Sequence, residues 1–351
     1  MKINIKKLPQ SMVEIEGELE AEIFESYYTK ALKKIGENLE IDGFRKGKVP
    51  ENILVSKVPE IKILEEMAEM ALGENYGKIL DENKIDAISR PEIMITKLAR
   101  NNPLGFNIKT AILPEVKMAD YKEIAKKVLK EIPEEDKNIV VSGDEVEKVI
   151  LDIRKSRAPR VEVAEGAEAK EGEKELEPVL PELNDEFVKG MGPFENVDDF
   201  KKKLKENLIL EKTNQSKEKT RIKMIEAIIE KSEMELPEIL VKSETDKIIH
   251  RMQGDIAQMG LKFEDYLVHL KKTIDEIRAD FRKDAEQRSR LSLVLANIAK
   301  LENIKPAEED IEHEVSHILE TYKDADPESA RMHTENVLTN EKVFQFLEIQ
   351  Q

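Results

Sequence analysis

The chain has 351 residues, of which 40% are hydrophobic, 37% charged and only 5% aromatic, with no Trp and no Cys. That length favours two or three domains over one, and the mixture suits long amphipathic helices better than an aromatic-rich sheet core. Missing thiols exclude disulfide staples, thiolate zinc sites and cysteine nucleophiles, while a formal net charge of −17 disfavours DNA, and RNA too unless a local basic patch supplies the contact.

Lys2, Lys6 and Lys7 make a basic start, but SMVEIEGELEAE follows, acidic and alternating where a signal peptide needs an unbroken apolar run. A cytoplasmic location is expected. No run approaches the roughly 18 apolar residues a membrane helix needs, so no membrane partner is expected either.

INIKKL and SMVEIEGEL alternate apolar and polar side chains around Pro9-Gln10-Ser11, which predicts an antiparallel strand pair. Residues 20–41 switch to helical spacing, with Ile23, Tyr27, Ala31 and Ile35 on one face and Tyr28, Leu32 and Leu39 widening it. A loop with two glycines follows, then a short helix after Pro50 and a longer one ending near Asn83. Strand spacing returns at 93–98 and 104–113, giving an α+β unit over about the first 115 residues.

From Asp120 to about Arg157 the pattern is helical, with Val146, Ile150 and Ile153 on one stripe after a capping box from Ser142 to Glu145. VEVAEGAEAKEGEKELEPVLPE (161–182) has almost no large side chains and predicts a solvated linker. Beyond Asn184, helices are expected at about 196–232, 237–259, 263–270, 273–302, 306–322, 327–337 and 340–348. Pro237, Pro306, Pro327 and Gly260 punctuate them. The first of these carries apolar stripes at Phe200, Leu204 and Leu208 and at Ile222, Ile225 and Ile229. Between the stripes EKTNQSKEKTR is polar all round, as in a helix that bridges packed ends, so projecting helical arms are expected. The expected fold class is an α+β N-terminal domain followed by a mostly α-helical C-terminal domain with arms, multidomain and elongated. Its segments are 1–115, a helical connector 116–160, the linker 161–182 and the helical domain 183–351.

The segment Gly43-Phe44-Arg45-Lys46-Gly47-Lys48-Val49-Pro50 is a short tip whose glycines permit a sharp turn and whose proline starts the next helix. Arg45, Lys46 and Lys48 place three cations within four positions, able to contact phosphate or carboxylate, and Phe44 offers an apolar anchor. Spacing alone leaves an equal alternative, a basic turn whose Phe tucks into a satellite core.

GFRKGKVP resembles the ribosome-docking signature of trigger factor, Gly-Phe-Arg-x-Gly-x-x-Pro, and like it follows a strand pair and a long helix. LPELNDEFVK, the Leu236-Pro237 helix start and FRKDAEQRSRLSLVLANIAKLENIK are similar to that family's C-terminal domain. The resemblance implies an ATP-independent chaperone without cofactors that holds nascent or unfolded polypeptides. It implies that Phe44, Arg45 and Lys46, within the motif Gly43 to Lys48 and Pro50, contact the large ribosomal subunit at the polypeptide exit, touching a ribosomal protein and nearby RNA. The family can form a homodimer when free, which stays open for this chain, as do the residues that contact clients. In the family a prolyl isomerase domain of the FKBP type is inserted between segments resembling VSGDEVEKVILDIRKSRAP and ELNDEF. Here only the linker stands there, and no Phe, Tyr or Trp lies between Tyr121 and Phe187 to wall an isomerase pocket. No isomerase activity, and no enzyme activity, is expected. The rival reading is a ribosome-independent holdase or assembly factor in which the basic tip is only a loop.

His313-Glu314-Val315-Ser316-His317 matches the H-E-x-x-H zinc pattern. At about 100° per residue Ile311, Val315, Ile318 and Tyr322 share one face, Leu319 lies at its margin, and both histidines fall on the opposite one. A catalytic pair would point into a cleft, so no metal is expected beyond adventitious binding at His313 and His317. Met252, Ile256 and Met259 form a further stripe, expected to pack against a neighbouring helix.

Overall fold

The computed structural model describes residues 1–39, 49–158 and 180–350. They gather into two compact units interleaved along the chain: Met1–Ala119 with Ile229–Lys305, and Asp120–Ile228 with Pro306–Gln351.

The first unit begins with β1 (Lys2–Leu8) and β2 (Met12–Leu19), joined by a turn in which Gln10 and Ser11 take positive φ. Among the described residues four helices follow: α1 (Ala21–Glu25), α2 (Tyr28–Asn38), α3 (Glu51–Lys57) and α4 (Glu60–Glu82). β3 (Glu92–Lys97) and β4 (Leu104–Ala111) complete an antiparallel sheet of order β1-β2-β4-β3. Alternation sets its faces. Val13, Ile15 and Leu19 of β2 are buried, as are Leu104, Phe106 and Ile108 of β4, while Glu14, Glu16 and Glu18 lie on the other side. The buried face packs on Phe24, Leu32, Met67, Leu72 and Ile79 from α1, α2 and α4. Each such side chain contributes about 1.5–3 kcal/mol when fully buried.

The helix expected over 20–41 is two helices. The Ser26 hydroxyl bonds the Ile23 carbonyl at 2.6 Å and the Tyr27 amide donates to Phe24 at 3.1 Å, so the chain tightens there and restarts at Tyr28. The break rotates the buried face: Phe24 is fully buried and Ile23 is 40% exposed, the reverse of the expected stripe, whereas Tyr27, Ala31 and Leu32 are buried.

The second unit starts with α5 (Tyr121–Lys130), α6 (Glu134–Lys137) and α7 (Gly143–Ser156). The predicted capping box is present, Ser142 and Glu145 satisfying each other's amides, and Val146 and Ile150 are buried. A short helix that the sequence pattern did not disclose, α8 (Asp185–Lys189), is capped by Asn184 and buries Val188. α9 (Val197–Lys231) is one helix of 35 residues. Val141, Val146, Ile150, Val188 and Phe200 make a core around α7, α8 and the start of α9, with Phe194 edge-on to Phe200 at 5.0 Å.

The chain then returns to the first unit with α10 (Glu238–Gln258), α11 (Phe263–Leu270) and α12 (Ile274–Leu301), α10 packing on α12. α13 (Glu308–Thr321) and α14 (Pro327–Glu348) pair in the second unit. α14 runs unbroken where two helices were expected: Leu338-Thr339-Asn340 contains no Gly or Pro, and Thr339 bonds back to the Glu335 carbonyl at 2.6 Å.

In α9 the second apolar stripe is Met224, Ile225 and Ile228, with Ile222 55% exposed, so the expected stripe was one residue out of phase. Its polar middle does bury nothing, yet it is not left to water. Ser216 donates to the Asp136 carbonyl at 3.1 Å, Lys212 pairs with Glu145 at 2.5 Å, and Arg221 binds Glu341 and Glu348 of α14. Polar partners, which a one-helix pattern cannot display, replace the apolar ones.

Candidate docking site and its support

Gly43, Phe44, Arg45, Lys46, Gly47 and Lys48 lie outside the described residues; Pro50 is described, and so are α2 and α3 on either side. Pro50 is the N-cap of α3, extended at φ −61° and ψ 145°, and its carbonyl accepts from the Ile53 and Leu54 amides at 3.0 and 3.1 Å. The missing N–H of proline costs nothing at that position. Leu39, at the other end, is the extended C-cap of α2.

α2 and α3 pack closely because Gly36 faces Leu54. A Cβ at Gly36 would stand 2.8 Å from Leu54 Cδ1, and Leu54 is buried. Val49, just before Pro50, packs on the same core. Lys34 reaches Glu66 at 2.5 Å and so ties α2 to α4; that carboxylate raises the ammonium pKa.

The α1–α2 corner is held from the sheet side. Arg100 lies 3.7 Å above the Tyr28 ring and bonds Glu25 through Nε, at 3.0 and 3.1 Å to its two oxygens, while the Asn101 amide donates to Glu25 at 2.6 Å. The guanidinium holds the Glu25 carboxyl below the usual range against the opposing effect of desolvation. Next to it the Tyr27 hydroxyl donates to Glu74 at 2.8 Å and accepts from Asn75 at 3.2 Å; burial, then Glu74, pushes the Tyr27 pKa up. Sequence reading took Tyr27 and Tyr28 as stripe members and passed over Arg100 and Gly36. Arg100 is 75 residues from Glu25 and carries no local signal, whereas a glycine inside a helical run invites the question of what approaches it.

The other sequence-derived site has a different fate. His313 and His317 are exposed on α13, with Ile311 buried and Val315 and Ile318 half-buried on the far side, as the 100° projection expects. Tyr322, expected on that apolar side, is the C-cap and is 66% exposed. His313 Nδ1 lies 3.8 Å from Glu314, and among the described residues no three His, Cys, Asp or Glu side chains gather as a metal set. The Met252, Ile256 and Met259 stripe is split: Ile256 is buried, but Met259 is 68% exposed. Met259 belongs to a run of exposed apolar side chains with Leu261, Val268 and Leu270, and α11 buries none of its residues. No helix among the described residues is long and apolar enough to cross a membrane.

Known proteins match across this framework. The family model described as bacterial trigger factor protein matches residues 1–153, and the one described as its C-terminus matches 196–347. The trigger factor of Carboxydothermus hydrogenoformans is 26% identical over 399 aligned residues, covering 92% of this chain and 91% of that protein. Those of Halalkalibacterium halodurans and Caldicellulosiruptor bescii are each 26% identical, over 84% and 92% of this chain and 84% and 89% of their own lengths. A solved structure from work on promiscuous substrate recognition in the folding and assembly activities of the trigger factor chaperone shares the fold, at a TM-score of 0.54 and 20% identity, covering 99% of each chain.

Neither family model covers residues 154–195, and part of that stretch is already committed: Leu183, Phe187, Val188 and Phe194 belong to the core of the second unit. Arg154 of α7 donates to the Pro181 carbonyl at 2.7 Å, holding the two flanks of 159–179 together. A folded domain needs about 50 residues or more, so 159–179 is too short for an isomerase domain of the FKBP type. With family models matching most of its length, the chain belongs to the bacterial trigger factor family, in a form without that domain.

Proposed function

We propose that this protein is a cytoplasmic, ATP-independent chaperone that docks at the polypeptide exit of the large ribosomal subunit and transiently holds nascent chains, without isomerase or other enzyme activity. Residues 1–115 are the docking domain in this reading and 183–351 the holding domain. The observation that carries it is the motif Gly43 to Pro50, set between α2 and α3 in a chain that both trigger factor family models match. Gly36 on Leu54 holds α2 to α3, the helices on either side of the motif, and Arg100 on Tyr28 holds the start of α2; fixed flanks lower the ordering cost of contacts made between them.

Co-sedimentation with ribosomes tests the docking half. Phe44→Ala alone is expected to weaken binding about tenfold, the scale of an apolar anchor, and adding Arg45→Ala and Lys46→Ala to abolish the remainder. Equal sedimentation of wild type and triple variant would remove docking and leave the ribosome-independent holdase.

For the holding half, Met259, Leu261, Val268 and Leu270 are the proposed client contacts, since large apolar side chains exposed in one stretch of chain suit an interaction site and a thioether adapts to varied partners. The double variant Met259→Ser, Val268→Ser should suppress aggregation of a chemically unfolded client several-fold less well at equal concentration, with ribosome binding unchanged. Full suppression by the variant would move the holding surface elsewhere.

A further inference from the structure

Among the described residues the core beneath the sheet takes its side chains from residues 3–112 and none from α10 or α12. Those helices join the first unit through tethers. The Gln10 amide donates to a Glu235 carboxylate oxygen at 2.9 Å and the Ser11 hydroxyl to the Glu235 carbonyl at 3.1 Å, just ahead of α10, while Lys117 and Glu233 exchange backbone bonds at 2.9 and 3.1 Å. The later turns of α12, the β1–β2 end of the sheet and the segments 83–86 and 112–116 line a cavity of about 560 Å³. Small-molecule sites span roughly 300–1,000 Å³.

The wall of this cavity is apolar. Val13 and Leu293 are buried, Ile85, Ile112 and Val116 half-buried, and Ile5 is 36% exposed. The register of β1 explains why the space opens here. Ile3, Ile5 and Lys7 pair with Gly17, Ile15 and Val13, so they share the core face, and a lysine occupies the third position where alternation calls for an apolar side chain. Lys7 turns out to Glu115 at 3.1 Å. Lys84 and Lys300 also line the cavity, exposed, and among the described residues neither ammonium has a carboxylate partner. With Glu115 committed to Lys7, only the Asp86 carboxylate stands against those two, so three lysines face two carboxylates and one positive charge is in excess. That sign is opposite to the chain's net charge of −17.

We propose that this cavity binds a small aliphatic carboxylate, its hydrocarbon tail against Val13, Ile112 and Leu293 and its carboxylate met by Lys84 and Lys300. An apolar wall with a few polar groups to fix orientation is the usual build of a small-molecule site. The tail removes apolar surface from water, and the head gains charge-assisted hydrogen bonds from the ammoniums. A single excess positive charge matches a monoanion. A multiply charged anion would bring charge that the lysines leave unanswered and that Asp86 repels, while a neutral hydrocarbon would leave both ammoniums without a part. The inference does not depend on ribosome docking or client holding.

Calorimetric titration of the full chain with octanoate, below its micellar concentration, tests this. Octanoate should bind saturably at a single site, about tenfold tighter than hexanoate for its two further methylenes and at least about tenfold tighter than octanol, which has the tail without the charge. Lys84→Glu and Lys300→Glu should each weaken octanoate about tenfold and leave octanol unchanged. Ala296 lines the cavity from an exposed position on α12, so a larger side chain there fills the space without entering a packed core. Ala296→Trp, shown to be folded by circular dichroism, should abolish binding. No saturable uptake of octanoate, equal binding of octanol, or octanoate binding unchanged in Ala296→Trp would overturn the proposal. So would displacement of bound octanoate by an unfolded polypeptide, which would make the cavity a client contact.

Discussion

Phe106→Ala should lower the unfolding free energy of the first unit by about 3–5 kcal/mol, the range for removing a fully buried aromatic ring. Phe106 sits on β4, a central strand, is 2% exposed, and has Gly17 of β2 directly opposite. The ring lies over that glycine: a Cβ at Gly17 would stand 2.4 Å from Phe106 Cζ and 2.7 Å from Cε2. A glycine inside a strand ordinarily weakens it, so Gly17→Ala would be expected to help. Here the methyl has no room, and the substitution should cost about 1–3 kcal/mol as overpacking. The two effects are one contact, and therefore non-additive. In the Phe106→Ala background the Gly17 methyl enters the vacated space, and adding Gly17→Ala should cost little or recover part of the loss. Urea unfolding followed by far-ultraviolet circular dichroism on all four members of the cycle measures the coupling. The same cost for Gly17→Ala in both backgrounds would mean that the ring does not rest on the glycine.

What the sequence displays and what it withholds divide along the same physical line. Periodicity located β1, β2, α4, α7, α10 and α12, because each buries one stripe or one face against a core and the spacing records it. It offered Gly43 to Pro50 through a motif that lies mostly outside the described residues, and it did not disclose the Gly36 to Leu54 approach or the Arg100 to Tyr28 stacking around α2 and α3. Those contacts join residues far apart in the chain, and no local pattern encodes them. The errors have local causes too small for a window to resolve. Ser26 closes a turn inside what reads as one helix and exchanges Ile23 for Phe24, and α8 spans only five residues held by an Asn cap. The exposure of β3 was hidden for another reason: Glu-Ile-Met-Ile-Thr-Lys reads equally well as a buried strand, and only its place at the end of the strand order leaves it bare. The polar middle of α9 buries nothing, as its pattern expects, but its partners were hidden: the Asp136 carbonyl, Glu145 and, on α14 some 120 residues on, Glu341 and Glu348.

Those partners carry the second large effect. Arg221→Met should destabilise the second unit by about 2–3 kcal/mol at neutral pH, between the small contribution of exposed ion pairs and the 3–5 kcal/mol lost when a buried pair is broken. Arg221 donates Nη1 and Nη2 to the two oxygens of Glu341 at 2.7 and 2.8 Å and Nε to Glu348 at 2.5 Å, and its guanidinium lies 5.1 Å from the Phe344 ring. Its side chain is 16% exposed and that of Glu348 19%, but Glu341 is 42% exposed, which keeps the effect below the buried limit. Methionine preserves the apolar stem and removes only the charge and the donors, so Glu341 and Glu348 lose their shared partner and, among the described residues, Lys217, 3.4 Å from Glu348, is the one cation still paired with them. The guanidinium holds the Glu341 carboxyl below its usual range. A carboxylate depressed on folding stabilises above its unfolded pKa and loses that contribution as pH falls through the folded value. The gap between wild type and Arg221→Met should therefore be widest at neutral pH and narrow as pH falls through the folded value of Glu341. Adding Glu341→Gln and Glu348→Leu to Arg221→Met should return most of the lost stability, since an apolar replacement leaves no uncompensated charge. Urea midpoints of wild type and both variants across that pH interval decide the matter: a gap that stays constant with pH would show that Arg221 acts through packing and not through its carboxylate partners.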